Sequence, residues 1–197
     1  MDINNSPNGI WKSFLSGDKK AFSALYYMYA DVLFSYGYKI VNDREVVKDA
    51  IQELFIKLYN NRENLNDTEH VKFYLFKALR NRLISKLESR TIISLDAHND
   101  DLLFEIEIAS TEEDDDPEDI FSEDQKKELS RAMKTLTSRQ REAIYLRYIR
   151  EIPIEDIADM LNMNYQSARN LIHRSILKLR KELLITIFIL LHYYLNS

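Results

Sequence analysis

Apolar side chains recur every three or four residues along much of the chain, the spacing that aligns them on one face of an α-helix. In the N-terminal half this period predicts two antiparallel amphipathic helices, through residues 22–36 and 47–58, and a third from about Val71 to about Ser89. Three glycines and three prolines in 197 residues favour long helices over a turn-rich β fold. The pattern therefore predicts an all-α protein.

The third helix combines a leucine face with many basic residues. The basic residues occupy its remaining sides: Lys72, Lys77, Arg80, Arg82, Lys86 and Arg90. It begins in an aromatic cluster, in which Phe73, Leu75 and Phe76 are interpreted as core residues, while Tyr74 is left open between core and surface. Aromatic rings beside cations can stack on bases that have left a duplex, because every base offers a π-face.

A second pattern lies in the C-terminal half, where a short and a longer helix flank the polar turn 162–164. Pro153 suits the first turn of the short helix, and Thr137 with Gln140 has the spacing of a capping box for an earlier supporting helix. The longer helix, residues 165–182, has an apolar stripe: Ala168, Leu171, Ile172, Ser175, Ile176 and Leu179. This arrangement predicts a helix-turn-helix, whose second helix can lie in the major groove of DNA.

The opposite stripe of the longer helix has the composition of a DNA-reading surface. Its side chains can donate hydrogen bonds to base edges and phosphates: Gln166, Arg169, Asn170, His173 and Arg180. Aspartate and glutamate are absent from residues 162–181, whereas a solvated helix face normally mixes both signs. An ordinary helical hairpin also has one polar and one apolar stripe, so composition rather than period favours DNA binding.

Charge divides the chain into three parts. The formal net charge is −5, but residues 91–124 hold 14 acidic residues and no lysine or arginine, and the rest of the chain has 27 basic against 18 acidic residues. An acidic linker between two basic helical modules is therefore predicted. The simplest interpretation is a solubilising spacer; the functional one is a segment that imitates nucleic acid in a partner's basic channel. Its apolar residues, Phe104 among them, predict that parts of it dock on a surface.

Several classes of chemistry find no support. The chain has no cysteine, its four histidines are scattered, and it lacks a catalytic triad order and a phosphate-binding glycine loop. No catalytic residue, metal site, cofactor or small-molecule substrate is expected. The polar N-terminus has no export-signal layout, which predicts a cytoplasmic protein.

Four segments, in order, resemble the extracytoplasmic-function (ECF) group of bacterial sigma factors, small members of the sigma-70 family. They are residues 21–29, residues 49–59, residues 75–81, and the run 136–142 with its continuation through residues 146–148 and 154–158. The second is similar to the helix that binds the polymerase clamp and is the most specific match. The resemblance covers roughly residues 15–90 and 125–182.

The resemblance implies two helical domains and a promoter-specificity function. Residues 1–90 would form a region 2-like domain that binds core polymerase and the minus-ten element, residues 91–124 the acidic linker, residues 125–182 a region 4-like helix-turn-helix for the minus-35 element, and residues 183–197 an apolar tail. Core RNA polymerase and promoter DNA are the implied partners, with an anti-sigma factor that could hold the protein at the inner membrane as a further one.

The resemblance also assigns residues to each contact. The minus-35 set is Gln166, Ser167, Arg169, Asn170, His173 and Arg174. The polymerase-binding set is Asp49, Gln52, Glu53 and Phe55, although a solvated pair of Glu53 with Lys57 fits the spacing equally. The minus-ten set is Asn64, Asn66, Tyr74, Asn81, Arg82 and Lys86.

The chain departs from the group's pattern at the reading helix and the melting segment. Ser167, Ala168 and Leu171 stand where the group usually has Thr, Val and Arg, and Ser85 and Glu88 replace an Asp and an Arg. Which bases are read is therefore left open. The runner-up function is a stand-alone dimeric helix-turn-helix regulator.

The tail supports a third interpretation, a membrane-associated interaction protein. Its run of thirteen mostly apolar residues, 183–195, is too short to cross a bilayer, which needs about 20. Packing on the protein's own domains, a lid between the modules and a docking strip for an inhibitor all fit it.

Overall fold

The structure, a computed structural model, describes residues 6–90, 104–105 and 123–183. The chain divides into two compact units, residues 1–96 and 97–197. Every regular element in the described ranges is helical, which confirms the all-α prediction. Among these residues, no helix is both long enough and apolar enough to span a bilayer.

The N-terminal unit contains four helices: α1 (Pro7–Leu15), α2 (Lys19–Ile40), α3 (Arg44–Asn60) and α4 (Val71–Arg90), with a 3-10 turn at Arg62–Asn64. Helices α2, α3 and α4 confirm the three predicted from apolar spacing. Helix α1 was not predicted. It begins at an N-cap serine, Ser6, whose hydroxyl accepts a hydrogen bond from the Gly9 N–H, followed by Pro7 in the first turn.

The core of this unit lies between α2, α3 and α4, and α1 closes it at one end. The buried side chains include Trp11, Leu25, Tyr36, Leu54 and Phe76. At Gly37 the helices approach so closely that an added Cβ would lie 2.8 Å from the Val47 Cγ1 and 3.2 Å from a Leu83 methyl. Only glycine fits this crossing without displacing the side chains of Val47 and Leu83.

The sequence interpretation placed all the basic residues of α4 outside its leucine face. In the structure, not all of them face solvent. Arg80 is 3% exposed, because its position coincides with the leucine face that packs into the core. The aromatic cluster is divided as well: Leu75 and Phe76 are buried, whereas Phe73 is half-buried with the Lys77 ammonium 5.5 Å from its ring centre.

The C-terminal unit contains α5 (Glu123–Lys134), α6 (Ser138–Ile144), a π-helical turn (Tyr145–Ile149), α7 (Ile154–Met160) and α8 (Tyr165–Glu182). The predicted capping box at the start of α6 is confirmed, since the Thr137 hydroxyl accepts from the Gln140 N–H and the Gln140 amide accepts from the Thr137 N–H. Pro153 caps α7 rather than lying inside its first turn. The π-helical turn was not predicted.

A Schellman motif makes the turn between α7 and α8. The Met163 N–H donates to the Ala158 carbonyl at 2.9 Å and the Asn162 N–H to the Asp159 carbonyl at 3.3 Å. Asn162 lies in the left-handed region, with φ 50°. The side chain of Asn164 then caps α8 by accepting from the Ser167 N–H at 2.8 Å. The predicted helix-turn-helix is therefore present, with a turn set by two asparagines.

One residue of the acidic stretch docks on the C-terminal unit. Phe104 is 1% exposed and packs on Tyr145 with 5.5 Å between ring centres. The Arg141 Nε donates to the Phe104 carbonyl at 2.7 Å, and its Nη1 donates to the Leu136 carbonyl at 2.6 Å. The docking predicted for part of the linker is confirmed at this point. Apart from the exposed Glu105, the rest of the stretch before α5 lies outside the described residues, as does the apolar tail beyond Leu183.

Candidate nucleic-acid and polymerase interfaces

Helix α8 exposes the whole predicted minus-35 set. All six side chains are exposed: Gln166, Ser167, Arg169, Asn170, His173 and Arg174. The apolar stripe beneath them is buried at Ala168, Ile172, Ser175 and Leu179 and half-buried at Leu171 and Ile176. The one side-chain hydrogen bond within the set runs from Gln166 Nε2 to Asn170 Oδ1, at 3.3 Å. The geometry therefore leaves the donors of this face available to a ligand.

Two long cationic side chains tie the helices of the C-terminal unit together. The Arg139 guanidinium on α6 donates to the Leu161 carbonyl, which ends α7. The Lys178 ammonium on α8 donates to the Thr135 carbonyl, just beyond α5. Both bonds satisfy carbonyls at helix ends: the first joins α6 to the end of α7, and the second joins α8 to the end of α5.

A cleft of about 370 Å³ runs beside the reading face, lined by Tyr148 and Ile154 as well as by Arg169, Asn170 and His173. Burial raises the pKa of the Tyr148 phenol, while the charges of Arg147 and Arg180 lower it by less. The phenol therefore stays protonated at neutral pH and can donate a hydrogen bond. Sequence reasoning did not single out this tyrosine.

On α3 the predicted polymerase-binding residues separate into two groups. Asp49 and Gln52 are exposed and Glu53 is half-buried, so all three are accessible to a partner. Phe55 is 3% exposed and packs on the rings of Phe22 and Tyr26, at 6.1 and 5.0 Å between centres. Phe55 therefore lies on the apolar face of α3 that forms the core, and its assignment to the polymerase-binding set stays a prediction.

An apolar patch beside Asp49 and Gln52 was missed. Its members are large and exposed: Ile56 at 52%, Tyr59 at 37%, Tyr26 at 41% and Tyr27 at 80%. Ile56 follows Gln52 by one helical turn, which places the two side chains on the same face of α3. The signal was present in the sequence, since Ile56 falls outside the apolar period of its helix.

Between α3 and α4 lies a groove of about 650 Å³ that brings both predicted sets of this unit together. It is lined by Glu53, Leu54, Lys57, Leu58, Tyr74, Ala78, Asn81, Arg82, Ser85 and Lys86. Glu53 accepts hydrogen bonds from the Arg82 guanidinium and, at 2.9 Å, from the Lys86 ammonium. These partners, above all Lys86, lower the pKa of the Glu53 carboxyl. Glu53 therefore pairs across the groove rather than along α3 with Lys57.

The two remaining minus-ten candidates lie on the segment between α3 and α4. Asn64 and Asn66 are exposed, and the Asn66 carbonyl accepts a hydrogen bond from the Trp11 indole at 3.3 Å. The Trp11 ring also lies 5.5 Å from that of Tyr74, whose pKa is raised by burial. Helix α1 therefore holds both the loop and the half-buried Tyr74 in place.

Both units match one protein family. Residues 25–91 match the family described as Sigma-70 region 2, and residues 126–179 match Sigma-70, region 4. The chain belongs to the sigma-70 family and is a sigma factor of the ECF type. Members of this family bind core RNA polymerase and promoter DNA. A stand-alone helix-turn-helix regulator is not favoured, because both units are regions of one sigma factor.

A curated relative covers nearly the whole chain. The ECF RNA polymerase sigma factor SigW of Bacillus subtilis (strain 168) is 24% identical over 183 residues, which is 87% of this chain and 94% of SigW.

Two solved structures share the fold. The sigma factor RpoE in complex with the anti-sigma factor NepR from Bartonella quintana has a TM-score of 0.57 at 18% identity, covering 83% of this chain and 96% of that one. CnrH in complex with the cytosolic domain of CnrY has a TM-score of 0.55 at 15% identity, covering 88% and 94%.

Proposed function

We propose that the two units of this sigma factor divide promoter recognition between them. The C-terminal unit reads the minus-35 element through α8, and the N-terminal unit binds core polymerase through α3 and the minus-ten element through the α3–α4 groove. The observation that carries the proposal is the juxtaposition of predicted sets: six exposed donors on one face of α8, and Glu53, Tyr74, Asn81, Arg82 and Lys86 around one groove.

At the minus-35 element, Arg169 contacts guanine through two hydrogen bonds and Asn170 contacts adenine. Arg174 contacts phosphate. The absence of acidic residues from 162 to 181 supports the phosphate contact of Arg174, because such a contact needs a cation that no nearby carboxylate compensates. His173 and Gln166 complete the surface from one turn away on either side.

Core polymerase binds the outer face of α3, where Asp49 and Gln52 border the apolar patch around Ile56. The acidic and amide side chains pair with basic groups of the polymerase clamp helices, and the isoleucine and tyrosines supply apolar contact area. The variant Ile56→Ser tests the apolar contribution, and Lys48→Ser is its control. We expect the first to weaken co-purification with core polymerase and the second, an exposed residue on the same helix, to leave it unchanged.

The decisive experiment is reconstitution. The purified chain, mixed with core RNA polymerase and promoter fragments, should co-purify with the enzyme and direct transcription from a defined start. Promoter affinity of the chain alone in a gel shift should be poor. Strong promoter binding without polymerase, with no effect on start-site selection, would overturn the proposal in favour of a self-sufficient regulator.

Promoter opening is tested with permanganate, which oxidises unpaired thymines. The holoenzyme should produce reactive thymines around the minus-ten element, and Tyr74→Ala and Asn81→Ala should diminish them while leaving minus-35 binding intact. Closed promoters at saturating holoenzyme would remove the groove from the minus-ten assignment.

The chain is proposed to act in the cytoplasm, where polymerase and DNA are, without covalent chemistry, metal or nucleotide of its own. We further propose an anti-sigma partner, by analogy with the complex of RpoE with NepR. Such a partner, held at the inner membrane, would compete with core polymerase for the chain. Competition is measured by displacement of core polymerase from the chain on a column.

A further inference from the structure

One carboxylate in the α3–α4 groove pairs with two cations. Glu53 Oε1 accepts from the Lys86 ammonium at 2.9 Å, and Oε2 accepts from the Arg82 guanidinium. Arg82 and Lys86 are four residues apart on α4 and so project from the same face of the helix. The carboxylate thus lies across the two strongest phosphate ligands of the groove.

The same three residues belong to two different predicted contacts. Glu53 is in the polymerase-binding set, whereas Arg82 and Lys86 are in the minus-ten set. A carboxylate and a phosphate present similar pairs of oxygens to a guanidinium, so only one of them fits its donor edge at a time. Glu53 therefore occupies the position that a DNA phosphate needs.

The arrangement is held weakly enough to exchange. The side chains are 45% exposed for Glu53, 24% for Arg82 and 28% for Lys86, so solvent reaches all three. Ion pairs of this exposure contribute little individually and give way to a competing ion. Because both cations lower the pKa of Glu53, the carboxylate is ionised at neutral pH and available to any other cation that approaches.

We infer that Glu53 is a positioning residue that holds Arg82 and Lys86 away from DNA in the free chain, and that a basic side chain of core polymerase takes Glu53 over when the two proteins bind. The inference rests on the proposed function of this groove. Polymerase binding then releases two cations for the DNA of the minus-ten element. By thermodynamic linkage, DNA bound in the groove strengthens polymerase binding by the same factor by which bound polymerase strengthens DNA binding.

The test compares Glu53→Gln with Glu45→Gln. Both remove one negative charge and one ion-pair acceptor from α3, but Glu45 pairs with Lys48 at the start of the helix. With a short fluorescent single-stranded oligonucleotide at low salt, Glu53→Gln should bind about three- to tenfold more tightly than the wild type, as expected from releasing two exposed pairs. Glu45→Gln should change affinity by less than about twofold. Equal effects of the two variants would overturn the inference.

A double-mutant cycle tests whether the gain passes through the two cations. In the background Arg82→Gln with Lys86→Gln, replacing Glu53 by glutamine should no longer raise affinity for the oligonucleotide. A gain that persists in this background would show a general charge effect and reject the masking role. Circular dichroism of every variant establishes that the helices are intact.

Assembly with core polymerase tests the release step. In the holoenzyme, the wild type and Glu53→Gln should bind a forked promoter fragment within about twofold of each other, while Glu53→Gln should bind core polymerase less tightly. A full advantage of Glu53→Gln within the holoenzyme would reject release by polymerase. If instead the wild-type chain fails to bind core polymerase at all, the proposed function fails, an outcome distinct from the oligonucleotide result on the free chain.

Discussion

The two units present their polar side chains in opposite ways. On α8 the donors of the reading face are exposed, and their one mutual side-chain bond joins Gln166 to Asn170. In the α3–α4 groove of the N-terminal unit three charged side chains are already engaged, Glu53 with Arg82 and Lys86, and the ring of Tyr74 packs on Trp11. One interface is a helix surface ready for a duplex; the other is a groove whose contacts must be exchanged before a ligand enters. Changes in the two units should therefore have different consequences.

The largest effect is expected from Trp11→Ala. Trp11 is 1% exposed and bonds to the loop that carries Asn66, so truncation should lower the free energy of unfolding of the N-terminal unit by about 3–5 kcal/mol. Hydrogen exchange should show lost protection in α1 to α4 and unchanged protection in α6 to α8. The control is Tyr27→Ala, which removes an 80% exposed ring of the same unit and should leave exchange unaltered. Loss of protection in both units would contradict a stabilising role of Trp11 confined to its own unit.

Arg169→Ala should separate base reading from phosphate binding. We expect the holoenzyme to lose about 1–3 kcal/mol of binding free energy on its own promoter and to discriminate less at one minus-35 position. Arg174→Ala should instead weaken binding to all sequences alike and reduce the slope of affinity against salt by about one. Affinities measured on promoters substituted base by base decide this, and identical profiles of the two variants would refute the division.

A smaller effect is expected at the turn before α8. Asn162 lies at φ 50°, so Asn162→Ala should cost the C-terminal unit about 1–2 kcal/mol, whereas Asn162→Gly should be tolerated. Hydrogen exchange of residues 154–182 provides the measurement. If alanine and glycine destabilise α7 and α8 equally, the left-handed backbone is not what selects asparagine.

The smallest effect is expected in the dependence of folding stability on pH. The folded state lowers the pKa of Glu53, so its ion pairs contribute stability above the ordinary glutamate pKa of about 4.3, and this contribution is lost as the pH falls through the lowered folded value. The pairs are exposed, so less than about 1 kcal/mol is involved. Trp11 is the sole tryptophan and lies in this unit, so urea unfolding followed by its fluorescence compares the wild type with Glu53→Gln. The two should differ at neutral pH and converge in acid.

The apolar period alone located α2, α3, α4 and the helix-turn-helix, since each of these elements buries one stripe on a neighbour. Helix α1 went unpredicted although Ser6 and Pro7 carry a start signal and its buried residues, Ile10, Trp11 and Phe14, recur at helical spacing. The π-helical turn at Tyr145–Ile149 has no sequence signal of its own. Two residues beyond its end lies Glu151, a residue type that rarely adopts the φ of 55° found there.

Partner contacts were harder to predict than helices. Periodicity states which face of a helix is buried, and on that ground Phe55 belongs to the core, although the family resemblance drew it into the polymerase set. Periodicity does not state which helices meet. The pairing of Glu53 with Arg82 and Lys86 depends on the packing of α3 on α4, across 29 and 33 residues of sequence, which no local pattern encodes.

The docked Phe104 has a practical consequence for dissecting the protein. A fragment cut at the start of α5 would keep the whole helix-turn-helix yet uncover the Tyr145 ring and leave the Arg141 guanidinium without one of its carbonyls. Measurements on that fragment would then reflect the newly exposed apolar surface as well as the helix-turn-helix. Truncations that begin upstream of residue 104 retain the docked Phe104 and are the better fragments for study.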